Sequence, residues 1–132
     1  MPVLDASVMV ELLVDGTYRE TAEARVLGEE RALWAPELLD AEVGSALRGG
    51  VRRRTLEVNQ AVQALDELTK LPIHRVSHAR LVPFAWLLRE NVSFYDGLYV
   101  ALAQLLEEPL ITIDARLARA GVDVEIEVLS QA

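Results

Sequence analysis

The chain has 132 residues, of which 52% are hydrophobic, enough for one domain with a packed core and too few for two of ordinary size. A net charge of -8 with no cysteine and a pI of about 4.7 argue against a basic surface spread over the molecule, and exclude disulfides and thiolate metal sites. The longest uncharged run, Gly97 to Leu106, is ten residues, well short of the roughly 20 that span a bilayer; no basic leader precedes Arg19, so a cytoplasmic chain without a membrane segment is expected.

Pro2-Val3-Leu4 reads as a short strand ending at Asp5, and Ala6 to Val14 as a helix stopped by Asp15-Gly16. Thr17 can cap a second helix through about Gly28, with Ala22, Val26 and Leu27 in apolar register. Ala32 to Ala35 is a second strand, and Pro36 is placed to open a helix through Arg48 that Gly49-Gly50 ends. Thr55 to Lys70 is amphipathic, with Val58, Ala61, Val62, Leu65 and Leu68 on one face, and Pro72 ends it. Ile73 to Val76 is a third strand, after which Ser77 caps a helix to about Glu90 that Pro83 should kink or displace. From Gly97 to Leu106 Gln104 is the one polar side chain, so this helix should be buried, with Asp96 at its first turn. Pro109 to Ile113 is a fourth strand ending at Asp114, followed by a short helix to Ala120, a stop at Gly121, and a last strand from Val122 to Leu129. Strands alternating with helices imply an α/β fold with a mostly parallel sheet covered on both faces.

Asp5 and Asp114 each sit at the carboxyl end of a predicted strand, the edge at which open parallel sheets bind ligands, and they converge if the first and fourth strands are neighbours. Either one taken alone is more readily explained as a helix N-cap. Glu42 follows Leu39 by three residues and precedes Ala46 by four, which sets it on a half-buried flank, whereas Asp40 reads as solvated. Ser93 and Asp96 have capping-box spacing, which by itself accounts for the charge at Asp96. Convergence of four carboxylates would require a hard divalent cation, Mg2+ or Mn2+. The two histidines, His74 and His78, have no zinc spacing, and no serine-nucleophile or phosphate-loop motif occurs.

Twelve of the thirteen basic residues are Arg, and Arg48, Arg52, Arg53 and Arg54 fall together with no acid among them. The cluster fits a local surface for an anionic ligand, and fits equally a solvated helix end, where cations are favoured.

Four segments carry a family resemblance: Val3-Leu4-Asp5-Ala6-Ser7, Leu39 to Arg48 around Glu42, Tyr95-Asp96-Gly97-Leu98-Tyr99-Val100-Ala101-Leu102-Ala103, and Leu110-Ile111-Thr112-Ile113-Asp114. In order and spacing they resemble PIN-domain ribonucleases, most of all the VapC toxins of toxin–antitoxin pairs. The resemblance implies a single three-layer α/β/α domain over residues 1–132 with strand order 3-2-1-4-5. It implies Mg2+- or Mn2+-dependent cleavage of RNA, a homodimer, and inhibition by a cognate antitoxin protein. It maps the family's acids onto Asp5, Glu42, Asp96 and Asp114, and its hydroxyl residues onto Ser7 and Thr112, which would orient carboxylates. Gly97, where the family commonly has Ala, should loosen the first turn of its helix.

The expected mechanism is attack by metal-activated water on an RNA phosphodiester, with the acids holding one or two ions. Arg48, Arg52, Arg53 and Arg54, then Arg116 and Arg119, are the candidates to grip the RNA backbone. Two rivals remain: a phosphoacceptor receiver domain, which needs a Lys near its last strand whereas the one Lys is Lys70, and a catalytically silent PIN module used for binding.

Overall fold

The structure is a computed structural model whose description covers residues 2–27 and 33–130, so Gly28 and Ala32, expected at a helix end and a strand start, lie outside it. Five strands, β1 (Val3–Leu4), β2 (Leu33–Pro36), β3 (Ile73–Val76), β4 (Leu110–Thr112) and β5 (Ile126–Val128), form one sheet in the order β3-β2-β1-β4-β5 with every neighbouring pair parallel. Parallel neighbours need crossovers. These are α1 (Ala6–Val14) and α2 (Arg19–Leu27), then α3 (Leu38–Arg52) and α4 (Val58–Lys70), then α5 (His78–Leu87) and α6 (Phe94–Leu106). Right-handed crossovers put the helices of the outward steps, β1 to β2 to β3, on one face, and those returning to β4 on the other. The packing agrees, since α1 meets α2, α3 and α4 while α5 meets α6. The expected three-layer order is therefore present, and the direction of winding reverses between β1 and β4, where open sheets form their ligand crevice. Receiver domains wind 2-1-3-4-5 instead, so the sheet order removes that reading; Lys70 is paired with Asp66 on the exposed side of α4. Among the described residues no helix is long and apolar enough to cross a membrane.

The central helix is buried as its composition requires, from Gly97 through Ala103. Ser93 Oγ accepts from the Asp96 N–H at 3.1 Å, which caps it. Gly97 has a packing role besides its low helix preference. A Cβ there would lie 3.2 Å from the Ala85 carbonyl oxygen of α5, so the missing side chain lets α5 and α6 pack closely.

Several boundaries moved for identifiable reasons. Pro36 does not open a helix; it ends β2 opposite Val76, and the next N–H, of Glu37, bonds the Val76 carbonyl at 3.0 Å. The helix that follows runs through Gly49 and Gly50 to Arg52. Gly50 is buried with the returning chain against it, since a Cβ would stand 3.2 Å from Leu56 Cβ, and its carbonyl accepts from the Thr55 N–H at 2.9 Å. The left-handed residue that turns the chain is Arg54, with φ 61°. The α4 face is rotated from the expected one: Ala64 and Leu68 are buried, while Val58 and Val62 are 61% and 59% exposed. Thr17 lies two residues outside α2, and α5 ends at Leu87 with Pro83 inside it.

Candidate functional site

The β1–β4 ladder runs one residue past β1, with the Asp5 N–H donating to the Ile111 carbonyl at 3.2 Å. This pins Asp5 beside β4 while its side chain caps α1, accepting from the Val8 N–H at 3.2 Å. Thr112 Oγ1 donates to Asp5 Oδ2 and Ser7 Oγ donates to Asp5 Oδ1, each at 2.5 Å. Both hydroxyls also accept from the backbone, Thr112 from the Asp114 N–H at 3.0 Å and Ser7 from the Ile113 N–H at 3.2 Å. A hydroxyl has one proton, so each commits its proton to Asp5. Three donors thus converge on a carboxylate that is 9% exposed. Burial raises the Asp5 carboxyl above its ordinary value, the hydrogen bonds from Ser7, Thr112 and Val8 oppose that rise, and the charge of Asp96 adds to it. Capping and ligand geometry are compatible here, because the cap uses a lone pair of one oxygen only.

Glu42, half-buried on α3, is raised by burial, held back by Tyr99, and raised again by Asp96 and Asp5. Carboxylates from β1, α3 and α6 therefore share one electrostatic neighbourhood at the switch point. Tyr99, on α6, was not singled out from the sequence. Its buried hydroxyl completes no hydrogen bond of ordinary geometry, yet lies near enough to Glu42 that, after burial, sharing its proton with that carboxylate contributes most to holding the phenol protonated. The signal was its position three residues after Asp96, in a stretch otherwise aliphatic from Leu98 to Ala103.

Asp114 stands next to this group without joining it directly. It caps the 3-10 helix Ala115–Arg119 by accepting from the Arg116 N–H at 2.9 Å. The Arg116 guanidinium grips the same carboxylate through Nε at 3.0 Å and Nη2 at 2.8 Å. That pairing lowers the Asp114 carboxyl, opposite to Asp5 and Glu42, with Arg119 adding a smaller pull. Arg116 also feels the charge of Asp96. Asp40 is not simply solvated: Arg75 Nε and Nη2 hold it at 2.7 and 2.9 Å.

The arginine cluster divides. Arg48, Arg52, Arg53 and Arg54 are all exposed, but of these only Arg53 lines the groove of about 470 Å3 that also contains Glu42, Ser45 and Tyr95. Its guanidinium folds back over Gly49, where a Cβ would stand 2.9 Å from Nη1. Arg54 lines a separate depression with Thr55 and Glu57. Tyr95 was also missed, for a residue in the first turn of a helix gives no sign of lining a groove.

Among the described residues no three His, Asp or Glu side chains stand together as a metal-holding group. The donor set itself fits a hard divalent cation. It consists of oxygens, and the mutually repelling charge of buried Asp5 and half-buried Glu42 and Asp96 is what Mg2+ or Mn2+ would neutralise.

The sequence model of the PIN domain family matches residues 3–123. Ribonuclease VapC1 of Mycobacterium tuberculosis is 46% identical over 129 residues, covering 96% of both chains. Two solved structures are similar in fold. VapC20 of M. tuberculosis, described as a Sarcin-Ricin loop cleaving toxin, gives a TM-score of 0.73 at 20% identity, over 98% of this chain and 100% of that one. VapBC2 of Rickettsia felis, bound to a DNA fragment from its promoter, gives 0.70 at 13% identity over 98% of each chain.

Proposed function

The chain belongs to the PIN-domain family, among relatives named as VapC ribonucleases, and from that premise we propose that it is a metal-dependent endoribonuclease, the toxin of a type II toxin–antitoxin pair. The carrying observation is the buried Asp5 carboxylate at the switch point, oriented by three donors and coupled to Asp96 and Glu42. Asp5, Asp96 and Glu42, joined by Asp114, would hold Mg2+ or Mn2+. Such an ion supplies Lewis acidity, activating water for attack on a phosphodiester and neutralising charge on its oxygens.

The protein's own groups provide orientation. Ser7 and Thr112 fix both Asp5 oxygens, so its remaining lone pairs point in set directions. Arg53 and Tyr95 line the groove that starts at Glu42, where a guanidinium can grip an RNA phosphate and an aromatic ring can stack on a base. Arg116, paired with Asp114 in this structure, and Arg119 beside it would contact phosphate near the acids, with the exposed Arg48, Arg52 and Arg54 as further cations for the RNA backbone. The acidic remainder limits non-specific RNA binding and favours a basic partner, in keeping with an antitoxin. The exposed apolar side chains of α5 and the start of α6, Val82, Trp86, Leu87 and Phe94, suit burial against protein, which supports a homodimer. The whole chain then acts as one cytoplasmic PIN domain.

The test is cleavage of RNA by purified, antitoxin-free protein with Mn2+ or EDTA. Cleavage that needs the metal and disappears in Asp5→Asn and Asp96→Asn supports the assignment; undiminished cleavage by either variant refutes it. A silent binding module would bind RNA and cut none.

A further inference from the structure

We propose that Tyr99 is a positioning residue, whose buried hydroxyl donates a hydrogen bond to the Glu42 carboxylate and holds it toward Asp5 and Asp96. For its consequence at a metal site the inference rests on the reading above; the contact itself does not.

Three observations carry it. Tyr99 is 2% exposed, and its hydroxyl is one of two buried side-chain polar atoms without a partner among the described residues. Burying an unpaired hydroxyl is unfavourable, and Phe would fill the same space without that cost. The surrounding helix is otherwise aliphatic from Leu98 to Ala103, so packing alone does not account for the oxygen. Second, Tyr99 follows Asp96 by three residues on α6, so both side chains leave the helix on the same side. Third, the phenol is coupled to Glu42 first and then to Asp5 and Asp96, all carboxylates of the site. Among the described residues Glu42 has no other side-chain donor. A carboxylate has no proton to give, so the Tyr99 hydroxyl can pair with one only by donating to it. A small rotation of the half-buried Glu42 side chain would complete the bond and turn its charge inward, as Ser7 and Thr112 already do for Asp5.

The experiment uses the wild type, Tyr99→Phe, Glu42→Ala and the double variant. Metal-free urea unfolding measures the coupling, and Mn2+ titration by water-proton relaxation measures the consequence. Tyr99→Phe should shift the folding equilibrium about fivefold or more with Glu42 present, and by less than about twofold in the Glu42→Ala background. It should also weaken Mn2+ binding about tenfold, the usual effect of losing a group that orients a ligand. Additive shifts across the four proteins would overturn the inference, as would coupling accompanied by unchanged Mn2+ affinity in Tyr99→Phe. If the coupling is present and the wild type binds no Mn2+, the Tyr99–Glu42 contact stands and the metal-site reading fails instead.

Discussion

Thr112→Val is the substitution whose consequences are most fully set by the geometry. Thr112 is completely buried, and Val keeps its branched shape while removing the hydroxyl. Two bonds go with it: the donation to Asp5 Oδ2 at 2.5 Å and the acceptance from the Asp114 N–H at 3.0 Å. A hydrogen bond to a charged group contributes about 1.5 to 3 kcal/mol, and an N–H left unpaired costs somewhat less when partly buried. Together they predict a loss of about 2 to 4 kcal/mol, equivalent to a Tm roughly 10 °C lower in a chain of this size. Thr112→Ser makes the opposite change, keeping the hydroxyl and losing a methyl, and should cost about 1 kcal/mol. Urea unfolding of the metal-free proteins gives both values. Mn2+ titration separates orientation from stability: Thr112→Val should bind about 10 to 100 times more weakly, whereas Thr112→Ser should bind as the wild type does. If Ser proves more damaging than Val, or if Val leaves Mn2+ binding intact, Thr112 acts through packing and the orientation argument is wrong.

Asp96→Asn should retain the wild-type circular dichroism spectrum and melting curve, because Ser93 rather than the Asp96 carboxylate caps α6, while losing Mn2+ binding in calorimetry. Gly97→Ala gains about 1 kcal/mol of helix preference but forces a Cβ to within 3.2 Å of the Ala85 carbonyl, so chemical denaturation should show a net loss of about 1 to 2 kcal/mol. Arg25 holds Glu127 through Nε at 2.7 Å and Nη2 at 2.9 Å and lowers its carboxyl below the usual 4.5. A depressed folded-state value contributes stability that is fully present above pH 4.5 and lost as pH falls through the lowered value, so Glu127→Gln should flatten the unfolding profile in that acid range. Arg53→Ala should weaken RNA binding by a similar factor for different sequences and reduce the slope of log affinity against log salt by about one, measured with Asp5→Asn as the uncut background.

The alternation of strands and helices was legible from local pattern, namely short apolar runs, acids at strand ends and an uncharged ten-residue stretch that forms the buried helix α6, whereas the strand order came from the family resemblance. The boundaries that moved depended on partners distant in sequence. Pro36 is a strand end because Val76 lies beside it, and Gly50 continues a helix because Leu56 returns against it; neither neighbour is visible from the local sequence. The exposed side of α4 could not be read from its apolar spacing, since Val58 and Val62 match the helical period as well as Leu68 does. At the site, Asp5 stood out by its position at a strand end and the two hydroxyls through the family resemblance, and the structure bonds both hydroxyls to Asp5. Tyr99 was hidden because a tyrosine in an apolar helix reads as core until its hydroxyl is located. The pairing of Arg116 with Asp114 turns on a side-chain rotamer, which residue spacing does not specify.

The central claim, that these carboxylates form a divalent-metal site, is tested most directly by anomalous diffraction from crystals soaked in Mn2+. The account predicts a peak ligated by Asp5 and Asp96 at the carboxyl end of β1, lost in Asp5→Asn. A peak held by other residues, or none at Mn2+ concentrations that support RNA cleavage, would contradict it.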